Sequence, residues 1–165
     1  SSSKLVLNNS LLPSGNMTIS GWVYFTANGG ILGSVTGGLS FKIGATPSKL
    51  YLEVSGTSVI GNSVTTITSG WKHVAVTYDT LGNYIFYLNG SSDGSGTNLQ
   101  AFTPQIKSIG LNGTTEFFNG SVDELGVWSR ILTATEIAEL YNSGNGLQYP
   151  FSSAINQSNL LLMGV

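Results

Sequence analysis

The segment 117–146 places the most convincing helix of the chain directly after a strand. An Asn-Gly pair at Asn119 begins a run of strand-forming residues. Farther along, Thr133 stands three residues before Glu136, which is the spacing of a capping box at a helix start. Gly144 suits the left-handed position just beyond the helix end. One short helix that follows a late strand indicates a β-rich fold onto which the helix packs.

Alternation of apolar and polar residues with a period of two dominates the rest of the chain. It predicts strands over 18–25, 39–43, 49–54, 71–79 and 84–88. The last of these is apolar on both faces, which is typical of a strand that is covered on both sides. Many short strands at regular spacing predict a two-sheet antiparallel sandwich.

Several polar, glycine-rich segments predict turns and loops. Asn89-Gly90, Asn112-Gly113 and Asn119-Gly120 are hairpin-type signals. Residues 91–98 have the composition of a flexible polar loop. The segments 28–30, 91–98 and 112–115 are therefore candidates for ligand-recognition loops, and they fit ordinary turns equally well.

Composition excludes several classes of partner. Of the 165 residues only 8% are charged, and the net charge is −2 without a basic patch, so a nucleic-acid partner lacks its electrostatic footprint. No apolar run is long enough for membrane insertion. The chain has no cysteine, so the fold uses no disulfide. It begins Ser1-Ser2-Ser3 without Met, and we expect a processed form or a piece of a longer protein.

Four motifs in order carry a resemblance to a known family. Thr18–Val23 resembles an early strand, Gly70–Asp79 a central Trp-x-His-Val-Ala-Val-Thr-Tyr-Asp strand, and Tyr84–Gly90 its partner that ends in Asn-Gly. The segment 117–142 is similar to a late signature in which Val-Asp-Glu precedes an Arg-x-Leu-Thr-x-x-Glu-Ile helix start. Together these motifs resemble the laminin-G-like modules with the concanavalin A-like lectin/glucanase jelly roll.

The resemblance implies an all-β, two-sheet antiparallel jelly-roll sandwich with one short C-terminal helix. We expect this laminin-G-like domain to occupy residues 1–151 and to leave 152–165 as a tail or closing strand. The apolar run Leu160–Met163 needs cover. We expect it to close the domain's own sheet beside Leu5–Leu7; the alternative is that it adds to the sheet edge of a neighbouring molecule.

The acidic residues do not favour catalysis. Glycoside hydrolases of this superfamily carry a Glu-x-Asp-x-x-Glu cluster on one strand, and no such cluster occurs here. Asp123 and Glu124 are adjacent, so on a regular strand they would point to opposite faces. The one histidine, His73, lies in the middle of an apolar strand and is expected to be buried and hydrogen-bonded. We therefore expect no enzymatic activity, and no zinc site.

Calcium is the metal that the resemblance implies. Related jelly rolls hold a structural calcium through an Asp of the late strand together with backbone carbonyls, and Asp123 matches that Asp. The alternative is that Asp123 accepts hydrogen bonds from backbone amides of a neighbouring loop. Glu124 is a candidate for an ion pair with Arg130 or Lys72.

A sugar site would need exposed aromatic rings together with amide or carboxylate groups. Trp22, Trp71 and Trp128 all match core positions of the family, so we expect each of them in the core. No sugar site follows from the sequence alone.

The function that the resemblance implies is non-catalytic recognition or adhesion. The chain would bind a glycan or a surface protein as a module of a larger extracellular or virion surface protein. The alternative is a structural subunit or decoration domain of a virion fibre, capsid or surface filament, which packs against copies of itself. Fold alone does not decide between the two.

Overall fold

A computed structural model describes residues 5–6, 15–34, 37–44, 48–103, 105–149, 151 and 159–163. Its strands are β1 (Leu5–Val6), β2 (Met17–Ala27), β3 (Gly29–Gly33), β4 (Leu39–Ile43), β5 (Leu50–Val54), β6 (Ser58–Asn62), β7 (Gly70–Tyr78), β8 (Asn83–Leu88), β9 (Ser91–Thr97), β10 (Ser108–Ile109), β11 (Leu111–Asn112), β12 (Glu116–Phe117), β13 (Asn119–Trp128) and β14 (Leu160–Met163). The helix α1 (Ala134–Tyr141) runs into a 3₁₀ turn at Asn142–Gly144.

The strands form two antiparallel six-stranded sheets and one small hairpin. The first sheet has the order β1-β10-β3-β4-β5-β6, and the second has the order β14-β13-β2-β7-β8-β9. The hairpin β11–β12 packs against β3 of the first sheet. This architecture confirms the two-sheet jelly-roll sandwich with one short helix.

The main core lies between the two sheets. Alternate residues of each central strand point into it, as the period-two pattern predicts. The largest contributors are fully buried, and they come from both sheets: Met17, Ile19, Leu39, Phe41, Ile43, Leu50, Leu52, Val74, Val76 and Phe86. Burial of each such side chain stabilises the fold by roughly 1.5–3 kcal/mol.

A second apolar cluster covers the outer face of the second sheet. The residues of this cluster come from the sheet, from α1 and from the segments around the helix: Ala75, Tyr87, Trp128, Leu132, Ile137, Leu140 and Phe151. Trp128 is fully buried there, so its predicted core position is confirmed.

His73 is also buried, and its Nε2 lies 3.0 Å from the Ser20 hydroxyl, which confirms the predicted buried, hydrogen-bonded histidine.

The helix begins as the sequence predicts, and a 3₁₀ turn continues from its end at Tyr141 to Gly144. The Thr133 hydroxyl accepts a hydrogen bond from the Glu136 amide, and the Glu136 carboxylate accepts one from the Thr133 amide, so the capping box is confirmed. The first left-handed residue at the helix end is Asn142 (φ 48°), and Gly144 (φ 98°) is also in the left-handed region. Asparagine tolerates this conformation, and its side-chain amide donates to the carbonyl of Gly146.

Three glycine-rich segments that the sequence predicts as loops or turns belong to strands, so these predictions are wrong. Residues 91–97 form the edge strand β9 after a turn in which Asn89 and Gly90 both have positive φ. Residues 29–30 begin β3, and Asn119 with the following glycine lies inside β13. An edge strand that faces water carries polar residues, so β9 has a loop-like composition.

The apolar run near the chain end pairs within the domain. β14 is antiparallel to β13 in the second sheet, whereas Leu5–Val6 pairs with β10 in the first sheet. The expected position beside Leu5–Leu7 is therefore wrong, because the two chain ends join different sheets. Leu7, residues 152–158 and residues 164–165 lie outside the described part of the chain, and the division at residue 151 stays a prediction. No helix in the described ranges is long and apolar enough to span a membrane.

Candidate functional site

A β-bulge in β13 changes the direction of its acidic pair. The strand keeps register with β2 from Gly120 to Asp123, and then Glu124 and Leu125 together face the single Gly21. Glu124 adopts a left-handed backbone conformation (φ 48°). The expectation that the two carboxylates point to opposite faces is therefore wrong, because the bulge interrupts the alternation.

The two carboxylates line one cleft together with two tryptophans. The cleft has a volume of about 230 Å³ and is bounded by Trp22, Trp71, Asp123, Glu124 and the loop 144–146. It lies on the outer face of the second sheet, at the end that α1 does not cover. We call it the aromatic cleft.

The two tryptophans have different environments. Trp22 is partly buried and stacks on Tyr141 of α1, with ring centroids 5.7 Å apart, so the helix holds it in place. Trp71 is 47% exposed and makes an edge contact with Tyr24, which is 40% exposed. The predicted core position of Trp71 is wrong because β7 begins beyond the area that α1 covers. Trp71 and Tyr24 thus present an open aromatic surface beside the rigid Trp22 wall.

The carboxylates keep most of their hydrogen-bonding capacity. Glu124 Oε2 accepts from the amide of Leu147 at 2.9 Å, and Asp123 Oδ1 accepts from the amide of Glu124 at 2.8 Å. Burial raises the pKa of Glu124, as does the nearby charge of Asp123, and the Leu147 amide opposes this. The buried indole N–H of Trp22 also acts to lower the pKa of Glu124. The remaining lone pairs of the two carboxylates therefore offer hydrogen-bond acceptors to a ligand.

The expected ion pairs of Glu124 do not form. Arg130 pairs instead with Glu136 at 2.6 Å, and Lys72 donates to the carbonyl of Trp71. Hydrogen bonds from Arg130 hold the pKa of Glu136 below its ordinary value. Among the residues that the structure describes, the carboxylates of the aromatic cleft have no cationic partner.

The aromatic cleft has few side chains that could coordinate a metal ion. The described residues contain no group of three or more histidine, aspartate or glutamate side chains that could hold a metal ion. Asp123 and Glu124 are nevertheless oxygen donors of the type that calcium prefers. The two carboxylates are therefore ligands of the chemical type that a calcium ion requires.

The sequence named the residues of this cleft without bringing them together. A motif identifies Asp123 and Glu124, whereas the sequence predicts core positions for Trp22 and Trp71. The sequence signal for the bulge is Gly21, which faces it on β2. A Cβ at this position would lie 3.2 Å from the Cα of Leu125, so glycine is needed for the bulged strand to pack without crowding.

The fold and the cleft together define a lectin-like β-sandwich. The sequence matches the family model of the concanavalin A-like lectin/glucanases superfamily over residues 1–138, and the chain belongs to that family. The laminin-G-like resemblance is thereby confirmed. Over 86 residues the chain is 33% identical to the adhesion G-protein coupled receptor D1 of Bos taurus; this match covers 50% of the chain and 10% of the receptor.

Two solved structures share the fold. A protein from Bacteroides ovatus ATCC 8483 with a proposed role in carbohydrate binding superposes with a TM-score of 0.68 at 24% identity, over 98% of this chain and 51% of that protein. Domain 4 of AbnA, an extracellular arabinanase of Geobacillus stearothermophilus, was solved with arabinotriose. It superposes with a TM-score of 0.62 at 23% identity, over 81% of this chain and 74% of that one.

The loop that closes the aromatic cleft yields a matched pair of substitutions. Gly144 (φ 98°) and Gly146 (φ 70°) both have left-handed backbones, so alanine at either position costs about 1–2 kcal/mol of stability. A Cβ on Gly146 would also lie 2.5 Å from Glu124 Oε2, whereas one on Gly144 has its nearest neighbour at 3.7 Å. We predict that Gly146→Ala lowers the free energy of unfolding more than Gly144→Ala.

Chemical denaturation of the two variants measures this difference. In a Glu124→Ala background the excess cost of Gly146→Ala should disappear, because the atom that it meets is gone. Equal costs in both backgrounds would show that Glu124 does not pack against this loop.

Proposed function

We propose that this chain is a non-catalytic glycan-recognition module of a larger extracellular or virion surface protein, and that the aromatic cleft is its glycan site. The observation that carries the proposal is the half-exposed Trp71 beside the two unpaired carboxylates. An indole face packs against the apolar face of a sugar ring, and carboxylates accept hydrogen bonds from its hydroxyl groups. A rigid aromatic wall with a few polar groups is typical of small-ligand sites.

The arrangement of the acids favours binding over hydrolysis. Glycosidases place two carboxyl groups on either side of the scissile bond. Asp123 and Glu124 are consecutive residues on one wall of the cleft, so they approach a ligand from the same side. They are suited to grip hydroxyl groups, and we infer that the module has no enzymatic activity of its own.

The related structures support a glycan as the ligand. Domain 4 of AbnA was solved with arabinotriose, and the Bacteroides protein carries a proposed carbohydrate-binding role. The matched stretch spans one tenth of the receptor and about half of the Bacteroides protein, which is consistent with a module inside a longer chain. A protein partner fits the cleft less well, since a cleft of about 230 Å³ is on the scale of a small ligand.

Two tryptophan substitutions test the glycan site. Trp71→Ala should weaken glycan binding about tenfold or more and leave the melting temperature nearly unchanged, because the ring is half exposed. Trp128→Ala should destabilise the fold by roughly 3–5 kcal/mol, because that ring is fully buried. A glycan array identifies the ligand, and calorimetry with that ligand measures the affinities. Absence of binding across a broad array, or wild-type affinity of Trp71→Ala, would refute the proposed site.

We further propose Asp123 as a calcium ligand, with Glu124 as the second carboxylate. Calcium that binds only the folded state stabilises it by mass action. Chelation should then lower the melting temperature, and Asp123→Asn should remove the difference between calcium and chelator. Identical melting curves of the wild type under both conditions would exclude calcium at this position.

A further inference from the structure

A second cleft lies on the other side of the sandwich, on the outer face of the first sheet. Its volume is about 520 Å³, more than twice that of the aromatic cleft. It is bounded by Lys42 of β4, Glu53 of β5, the turn 54–59 and the hairpin segment 112–116. We call it the polar cleft. None of the residues that line it belongs to the aromatic cleft.

Glycines in β3 bring the hairpin down onto the sheet. A Cβ on Gly30 would lie 2.4 Å from the amide nitrogen of Asn112, and one on Gly29 would lie 2.1 Å from the carbonyl of Phe117. These contacts are shorter than any side chain allows, so the close approach requires glycine. The hairpin is thereby fixed over β3, and its polar side chains reach Lys42 of the neighbouring β4.

Three charged groups meet at the floor of the polar cleft. Lys42 Nζ lies 3.1 Å from Glu53 Oε2 and 3.1 Å from Glu116 Oε2. Burial acts to lower the pKa of Lys42, but hydrogen bonds and charges from the two glutamates raise it above its ordinary value, so the ammonium stays charged. The Lys42–Glu53 pair is largely shielded from water, and such pairs seldom add net stability.

A buried asparagine holds this arrangement rigid. Asn112 is 4% exposed, and its amide nitrogen donates to both glutamates, to Glu53 Oε1 at 2.8 Å. Its carbonyl oxygen accepts from the hydroxyls of Ser40 at 2.6 Å and Ser55 at 2.9 Å. Each group at the floor is thus oriented before any ligand arrives, which reduces the entropic cost of binding.

The floor and rim have the chemistry of a site for hydroxyl groups. The three N–H groups of Lys42 face three carboxylate oxygens, Glu53 Oε2 and both oxygens of Glu116, so the ammonium orients the two glutamates. The Glu116 side chain is 50% exposed and has room to accept further hydrogen bonds. The rim adds hydroxyls from Thr57, Ser58 and the 114–115 segment. One ammonium and two carboxylates give a net charge of −1, which disfavours anionic ligands.

We propose that the polar cleft is a second binding site, which takes one neutral sugar ring or a similar polyol and needs no divalent metal. The Lys42 ammonium occupies the position between two carboxylates that a divalent cation would otherwise fill. Hydroxyl groups of the ligand donate to the half-exposed Glu116 carboxylate and accept from the hydroxyls of the rim. Among the described residues no aromatic side chain lines this cleft, so the ring binds by its hydroxyl edge rather than by stacking. With sites on opposite faces, the module can engage two glycan chains at once.

Backbone NMR separates the two clefts in one titration. The probes are D-glucose, D-galactose, D-mannose, D-xylose and L-arabinose, each added to about 50 mM, above the millimolar dissociation constants typical of a few hydrogen bonds. We expect at least one sugar to shift the amide signals of residues 56–58 and 113–116, with chelator present. Shifts of the Trp71 indole signal report the aromatic cleft independently. If no probe shifts the signals of the polar cleft, or if the shifts vanish with chelator, the proposal is wrong.

Variants of the floor complete the test. Glu116→Gln keeps the shape of a half-exposed side chain and should weaken the sugar affinity obtained from these shifts about tenfold. Lys42→Met should abolish the sugar-induced shifts. Trp71→Ala is the matched control and should leave the polar-cleft shifts unchanged. If Lys42→Met does not fold, Glu116→Gln decides the question alone. Shifts of wild-type size in Glu116→Gln would overturn the proposal, whereas loss of binding in Trp71→Ala alone would concern only the aromatic cleft.

Discussion

The second sheet is buried on both faces, and the position of the aromatic cleft follows from where that cover ends. Its inner face packs into the main core, and α1 with its flanking segments covers its outer face. The Thr18 hydroxyl ties this cover to β2, since it donates to the carbonyl of Arg130 and accepts from the amide of Leu132. Because α1 has only 8 residues, one end of the sheet stays open. Trp71 lies at that open end, beside the bulge that carries Glu124.

The fold follows from the sequence because its determinants are local. Alternation predicts the central strands, the capping box predicts the helix start, and an apolar context predicts the burial of His73 and Trp128. The aromatic cleft depends on features that alternation cannot represent. A left-handed Glu124 has no composition signature, and its bulge is visible only against Gly21 on another strand. The polar cleft likewise depends on a contact between β3 and a hairpin about 80 residues away in the chain.

The two clefts use the few charges of the chain in different ways. Only 8% of the residues are charged, and the three ion pairs of the described residues involve Lys42 twice and Arg130 once. The ion pair between Arg130 and Glu136 stabilises the helix start. The ion pairs of Lys42 with Glu53 and Glu116 lie at the floor of the polar cleft. The acids of the aromatic cleft stay unpaired. A surface of serine, threonine, asparagine and glycine with so little charge matches neutral, hydroxyl-rich ligands better than charged ones.

The pH dependence of stability tests most directly whether the helix seals the outer face of the second sheet. Burial lowers the pKa of His73 to about 4 from its ordinary value of 6.5, so below pH 6.5 the unfolded chain binds a proton that the folded chain excludes. As the pH falls from 6.5 to about 4, the free energy of unfolding should therefore decrease. His73 should contribute up to ~3 kcal/mol to this decrease. His73→Gln should remove that part of the slope and leave the contribution of the acidic residues. If the wild type and His73→Gln lose stability equally over this range, His73 titrates normally and the outer face is open to water.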